Sequence, residues 1–142
     1  SDAEKITLYL RGIKWCARSL GCKTSELHRI VLIHEIAHWI HHKFRFGSSE
    51  EWNVEYLKDT VDEVNEGLAQ LMTYWVSKFI SEEKKYNIEF IDVFSKLNTE
   101  QSNAYHVYEG FKEQNVTKIK YSLVYLRDLL KPAEYRDWER FF

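Results

Sequence analysis

Two histidines four residues apart, His34 and His38, enclose a glutamate, Glu35, in the order His-Glu-x-x-His. Positions four apart on an α-helix differ by about 40° in direction, so both imidazoles can ligate one metal ion. Glu35 is rotated by about 100° from His34, which leaves it outside the ligand set but within reach of a metal-bound water that needs a general base. If the segment is helical, this spacing predicts a catalytic zinc site.

A catalytic zinc ion needs a third protein ligand and keeps its fourth position for water. Phe44 stands ten residues after His34, where the metzincin pattern requires a third histidine, so that pattern is excluded. The acids of a later helix remain, and helical geometry places Glu66 and Asp62 on one flank of its apolar face. We predict Glu66 as the third ligand, with Asp62 as the alternative. Without the histidines, a solvated acidic helix face would be the simpler interpretation.

Apolar periodicity predicts the elements that must position these residues. Ile6, Leu8 and Leu10 alternate as in a half-buried strand, although the same stretch also fits the first turns of a helix that ends at Gly21. We favour the strand, and hence a mostly α fold with a short N-terminal edge strand or small sheet. The predicted segments are a strand over residues 5–10, a loop over 44–52, and helices over 12–20, from Thr24 through the histidines, 54–80, 88–97, 99–112 and 116–130.

The composition fits one soluble globular domain over residues 1–142, which could be a piece of a longer protein. A net charge of -2 argues against a nucleic-acid partner or an anionic membrane surface, and no apolar run approaches the roughly 18 residues that cross a bilayer. Cys16 and Cys22 are expected to be reduced thiols, and the first residues do not resemble a signal peptide. We therefore expect a cytoplasmic protein.

His34-Glu35-Ile36-Ala37-His38, followed by Asn65-Glu66-Gly67-Leu68-Ala69, resembles the gluzincin metallopeptidases, and the short single-domain members in particular. The resemblance implies a zincin-like α+β fold that binds one Zn²⁺ per chain. It implies His34, His38 and Glu66 as zinc ligands and Glu35 as the general base. It also makes residues 6–10 an edge strand that pairs with an extended peptide substrate.

Hydrolysis of a peptide also requires a hydrogen-bond donor that stabilises the developing oxyanion, commonly a tyrosine or histidine. Residues 103–111 supply candidates, of which we select Tyr108 and His106; Tyr105 and Tyr108 are three apart and could share a helix face. His41 is more easily read as a surface histidine near a helix C-terminus.

The leading hypothesis is a zinc metallopeptidase, endopeptidase-like, that hydrolyses a peptide or protein substrate with a zinc-bound water activated by Glu35. The alternative is a non-catalytic or latent metal-containing module, similar to phage-regulatory proteins that carry an HExxH helix in a repressor-cleaving domain. In that case the aromatic tail, residues 138–142, could fold back into a neighbouring cleft. A metal-free helical domain with an accidental motif is the third possibility, and the sequence leaves the oligomeric state open.

Overall fold

The computed structural model describes residues 5–47, 49–83 and 90–142, and within these ranges it is all-helical. The α-helices are α1 (Leu10–Leu20), α2 (Thr24–Lys43), α3 (Val54–Lys58), α4 (Asp62–Glu82), α5 (Phe90–Thr99), α6 (Val116–Asp128) and α7 (Tyr135–Phe141). Two short 3-10 helices, Asn103–Tyr105 and Val107–Gly110, lie between α5 and α6. None of the described helices is both long enough and apolar enough to cross a membrane.

The predicted N-terminal strand is wrong. Residues 5–9 have no regular secondary structure, and α1 begins at Leu10. An isolated strand leaves its main-chain N–H and C=O groups unpaired, and no second strand exists among the described residues to pair with it. Of the alternating apolar residues, Leu8 packs against the core, whereas Ile6 and Leu10 are 39% and 63% exposed. The fold is therefore all-α rather than α+β.

The helix predicted over residues 54–80 is interrupted between α3 and α4. The Asn53 side chain caps α3, and the buried Thr60 hydroxyl donates to the Tyr56 carbonyl. The main chain at Ala133 pairs with this break: Val61 N donates to Ala133 O, and Ala133 N donates to Thr60 Oγ1. A distant segment thus satisfies the polar groups at this break, which contains no glycine or proline. Helix α4 then starts four residues before Glu66.

The other predicted helices differ from the observed ones mainly at their ends. Residues 88 and 89, the start of the helix predicted over 88–97, lie outside the described residues, and α5 extends to Thr99. In place of one helix over 99–112, the chain forms the two 3-10 helices. The prediction that a helix ends at Gly21 is confirmed, because Gly21 caps α1 with a left-handed φ of 69°.

Helix α4 packs against α2, α5, α7 and both 3-10 helices, and aromatic side chains fill the space on one side of it. We call this set the aromatic core: Tyr74, Phe94, Tyr108, Phe111 and Trp138. Trp138 is fully buried, stacks on Phe111 with ring centroids 4.0 Å apart, and donates from Nε1 to the Ser122 hydroxyl. The aromatic tail thus places Trp138 in the core rather than in a cleft.

The C-terminus of α2 is held by a buried arginine from α6. Arg127 is 5% exposed, and its guanidinium donates hydrogen bonds to the main-chain carbonyls of Ile40, His41, Phe44 and Glu50. The last carbonyls of a helix have no partners within the helix and carry a partial negative charge. A buried cation at this end therefore fixes both the final turn of α2 and the loop that follows it.

Candidate metal centre

Three side chains, two from α2 and one from α4, each bring one possible ligand atom close to the other two. His34 Nε2 lies 2.9 Å from Glu66 Oε2, His38 Nε2 lies 3.2 Å from the same oxygen, and the two Nε2 atoms are 3.1 Å apart. We call His34, His38 and Glu66 the metal group. The residues predicted as ligands therefore come together, and the group could bind a metal ion.

The two helices reach each other by burying small residues. Ala37, between the two histidines, and Ala69, three residues after Glu66, are both fully buried. Gly67, the next residue after Glu66, faces a different neighbour of α4. A Cβ atom built there would lie 2.6 Å from Val107 Cγ2 and 3.1 Å from the Trp138 ring. Gly67 thus allows the aromatic core to pack closely behind the metal group.

The donor set could hold a metal ion, and zinc is a metal that takes these ligand types. Two imidazole nitrogens and one carboxylate oxygen are three protein ligands, the number that catalytic zinc sites use, whereas structural sites close with four. Zinc bonds of 2.0–2.2 Å at tetrahedral angles separate the ligand atoms by about 3.4 Å. The observed separations of 2.9 to 3.2 Å differ from this value by a few tenths of an ångström. The side chains are 12%, 15% and 24% exposed, so the common point is open to a small ligand.

The electrostatics of the metal group favour an ionised carboxylate. Burial by itself would raise the pKa of Glu66, but hydrogen bonds from His34 and His38 outweigh burial and hold that pKa well below its usual range. Glu66 is therefore charged at neutral pH, which is the form that ligates a metal.

A tyrosine that the sequence did not select lies against the metal group. The Tyr105 ring stacks on the His34 imidazole, with centroids 5.6 Å apart and planes inclined by 23°. Asn98 Nδ2 donates to the Tyr105 carbonyl and so fixes the end of the first 3-10 helix. Burial, then the charges of Glu66, Glu35 and Asp62, raise the pKa of Tyr105 above its ordinary value. Its phenol is therefore a protonated hydrogen-bond donor.

The two selected oxyanion donors lie elsewhere. Tyr108 is 6% exposed and packs against Tyr74 and Phe94 in the aromatic core. His106 Nε2 is 3.1 Å from the Gln101 carbonyl oxygen, and its Nδ1 is 4.0 Å from Glu109. The Tyr105 ring contacts His34, whereas the Tyr108 ring contacts Tyr74 and Phe94, so the two rings have different neighbours. No feature of the sequence distinguished Tyr105 from the other eight tyrosines.

Glu35 and Asp62 flank the metal group from its two helices. Glu35 follows His34 on α2, is partly exposed, and is close enough to Tyr105 to influence its pKa. Asp62 is exposed in the first turn of α4, one turn before Glu66, and it is not part of the metal group. Glu66 rather than Asp62 therefore faces both histidines.

Of the two histidines that follow the motif on α2, His41 differs from the prediction. His41 is buried instead of lying on the surface, and its Nδ1 has no hydrogen-bond partner within the described structure. Burial, with further contributions from His38, His42 and Arg127, lowers the pKa of His41 well below its ordinary value. The His42 ring lies 5.9 Å from that of His38, and burial and His38 lower its pKa to about 4. Both are neutral at pH 7.

Comparisons of this chain with protein-family models, curated proteins and solved structures found no match.

Proposed function

We propose that this chain is a zinc-dependent peptidase. The observation that carries the proposal is the metal group itself: two histidines on one helix and a glutamate on another converge to within hydrogen-bond distance, and a second glutamate, Glu35, directly follows the first histidine. The order of these residues along the chain resembles that of the gluzincin metallopeptidases. Three protein ligands with a partly exposed centre favour a catalytic role for the ion over a structural one.

A zinc ion held by His34, His38 and Glu66 would supply Lewis acidity, which lowers the pKa of water and polarises a carbonyl group. The remaining chemistry belongs to the side chains. Glu35 accepts a proton from the attacking water while the water oxygen forms a bond to the carbonyl carbon. The same carboxyl then donates this proton to the amine nitrogen as the C–N bond breaks. The proton and electron balance of hydrolysis is thus complete.

In this proposal Tyr105 stabilises the transition state. Its phenol is protonated, lies beside His34, and can donate a hydrogen bond to the carbonyl oxygen while negative charge develops there. Stacking on His34 and the Asn98 hydrogen bond to its main chain hold the ring in place before a substrate binds. This assignment replaces Tyr108 and His106, which pack elsewhere.

Metal content is the first test of the proposal. We expect about one zinc ion per chain by elemental mass spectrometry, retained by Asp62→Ala and lost by Glu66→Ala. The Asp62 variant is the matched control, because it removes an acid from the same flank of α4 without removing a ligand. Absence of zinc after reconstitution, or equal loss in both variants, would contradict the metal group as a zinc site.

Hydrolysis is the second test. Zinc-loaded protein should cleave members of a fluorescence-quenched peptide library, and Glu35→Gln should lower kcat by about 10²- to 10⁴-fold, the usual contribution of a general base, with zinc content unchanged. A zinc-containing protein that cleaves no peptide would support a non-catalytic, metal-containing module instead. A Glu35→Gln variant with full activity would show that another group takes the proton.

A further inference from the structure

The ring of Tyr105 lies beside the metal group on a stretch of chain that has little regular structure of its own. The 3-10 helix Asn103–Tyr105 is three residues long, and the Ser102 side chain does not cap its start. A 3-10 helix has poorer hydrogen-bond geometry than an α-helix, so three residues contribute little order by themselves. The orientation of the Tyr105 ring therefore depends on the contacts of the residues on either side.

Two side-chain hydrogen bonds hold the chain around this tyrosine, and we call residues 98–106 the Tyr105 segment. Asn98, which is 6% exposed, donates from Nδ2 to the Tyr105 carbonyl at 3.2 Å. His106 Nε2 lies 3.1 Å from the Gln101 carbonyl oxygen, and because that oxygen can only accept, this nitrogen carries the hydrogen. These bonds tie the segment together and to the end of α5, whereas the metal group lies on α2 and α4.

A buried glutamine connects the Tyr105 segment to α4. Gln70 is 1% exposed, and its Nε2 donates to Gln101 Oε1 at 2.9 Å. Gln70 follows Glu66 by four residues on α4, so the two side chains project from neighbouring positions on the helix surface. One helix thus carries both the carboxylate of the metal group and the hydrogen-bond donor that holds the Tyr105 segment.

We propose that Gln70 is a positioning residue for Tyr105: through its hydrogen bond to Gln101, it holds the Tyr105 phenol beside the metal group. The proposal rests on the proposed peptidase function, in which this phenol stabilises the oxyanion. Removal of the Gln70 amide would leave Gln101 Oε1 without its partner in a partly buried place, which is costly. The segment can regain a partner for that oxygen by moving outward to water, and this movement carries the Tyr105 ring away from His34.

Fluorine NMR of protein labelled with 3-fluorotyrosine tests the position of the ring, in chelator so that metal content is equal in all variants. The Tyr105 resonance is the one absent from Tyr105→Phe. In Gln70→Leu we expect it to move at least halfway toward its position in urea-unfolded protein. Thr73→Val is the matched control and should leave the resonance in place. Thr73 is an equally buried polar residue of α4, but its hydroxyl donates to the Ala69 carbonyl within the helix.

The partner residue supplies a second pair of variants, which also serves if Gln70→Leu does not fold. Gln101→Leu removes the acceptor at a partly exposed position and should shift the Tyr105 resonance as Gln70→Leu does. Gln101→Glu keeps a side-chain oxygen that can accept from the Gln70 amide, and it should restore the parent position. Rescue by glutamate but not by leucine assigns the effect to the hydrogen bond rather than to the loss of the native side chain.

Kinetics of the zinc-loaded protein connects this hydrogen bond to the reaction. Gln70→Leu should lower kcat by about 10- to 100-fold, the cost of a catalytic group displaced by up to about 1 Å, at unchanged zinc content. KM should stay within about twofold, because the phenol acts in the transition state. In a Tyr105→Phe background the same substitution should change kcat by less than about twofold, because the group that it positions is already gone.

The two measurements can contradict the proposal separately. A Tyr105 resonance that stays in place in both Gln70→Leu and Gln101→Leu would overturn the positioning role, whether or not the protein is a peptidase. An undiminished kcat loss in the Tyr105→Phe background would also overturn it, since Gln70 would then act through another group. If zinc-loaded protein cleaves nothing while the resonance moves as expected, the peptidase function fails and Gln70 still positions the ring.

Discussion

Glu66 and Gly67 are neighbours on α4, yet they face two regions that are built in opposite ways. Glu66 belongs to the metal group, whose three side chains remain 12% to 24% exposed and meet through a few polar atoms. Gly67 faces the aromatic core, where Trp138 is fully buried and a single added methyl group would collide with Val107. The chemistry therefore depends on a few donor atoms at an open surface, whereas the position of those atoms depends on the close packing behind them.

Two tyrosines three residues apart give the largest expected contrast between the regions. Tyr105→Phe should lower kcat by about 10²- to 10³-fold, the usual cost of removing an oxyanion donor, because it deletes the phenol beside His34. Tyr108→Phe should leave kcat within about twofold, since its ring packs in the aromatic core. Steady-state kinetics on zinc-loaded protein, at equal zinc content, measures both. Equal losses in the two variants would contradict the separation of the two regions.

Substitution of Gly67 tests the close packing of the aromatic core. Gly67→Ala should lower the free energy of unfolding by about 1–3 kcal/mol, because the new Cβ would lie 2.6 Å from Val107 Cγ2 and the core must shift to receive it. Urea denaturation of the metal-free protein measures the change. Zinc content per folded molecule should stay near that of the parent. Gly110→Ala, where the added carbon meets nothing within 4 Å, serves as the control and should change stability by less than about 0.5 kcal/mol.

The smallest expected effect is the pH dependence of stability that the buried His41 of α2 causes. His41 is buried with a strongly lowered pKa, so the unfolded chain binds a proton near pH 6.5 that the folded chain excludes. The stability from neutral His41 is therefore complete above about pH 6.5 and is lost as the pH falls below it, by at most about 1.4 kcal/mol per pH unit. His42, with its pKa near 4, acts in the same direction.

Urea unfolding at pH 7.5 and pH 5.5, in chelator, measures this dependence. His41→Leu should be less sensitive to pH than the parent, because the leucine has no proton to bind in the unfolded state. A parent protein whose stability does not fall between these two pH values would show that His41 is not held neutral by its burial.

The two histidines of the metal group could be predicted from the sequence because their relation is local. His34 and His38 lie one helical turn apart, so their convergence follows once α2 forms. Glu66 was identified from its flank on α4 and from its sequence neighbours, and the two helices need only pack against each other to join it to the histidines.

The predictions that are wrong concern structure that depends on contacts between residues far apart in the chain. Ala133 pairs with the break between α3 and α4, and no local signal records a partner 73 residues away from Thr60. The strand over residues 5–10 failed because alternation predicts a half-buried segment but not the presence of a second strand. Nothing local in the sequence distinguished Tyr105 from Tyr108, because which ring contacts His34 depends on how the two 3-10 helices pack against α2 and α4.

The hydrogen bonds of Arg127 indicate which nearby positions tolerate substitution. Its hydrogen bonds within the described structure all go to main-chain oxygens, at Ile40, His41, Phe44 and Glu50. Any residue at those four positions offers the same oxygen, so this contact places no restriction on their side chains. A lysine at position 127 could not serve as many acceptors, since one nitrogen cannot match the planar fork of a guanidinium. This contact should therefore tolerate substitution at those four positions but not replacement of Arg127 itself.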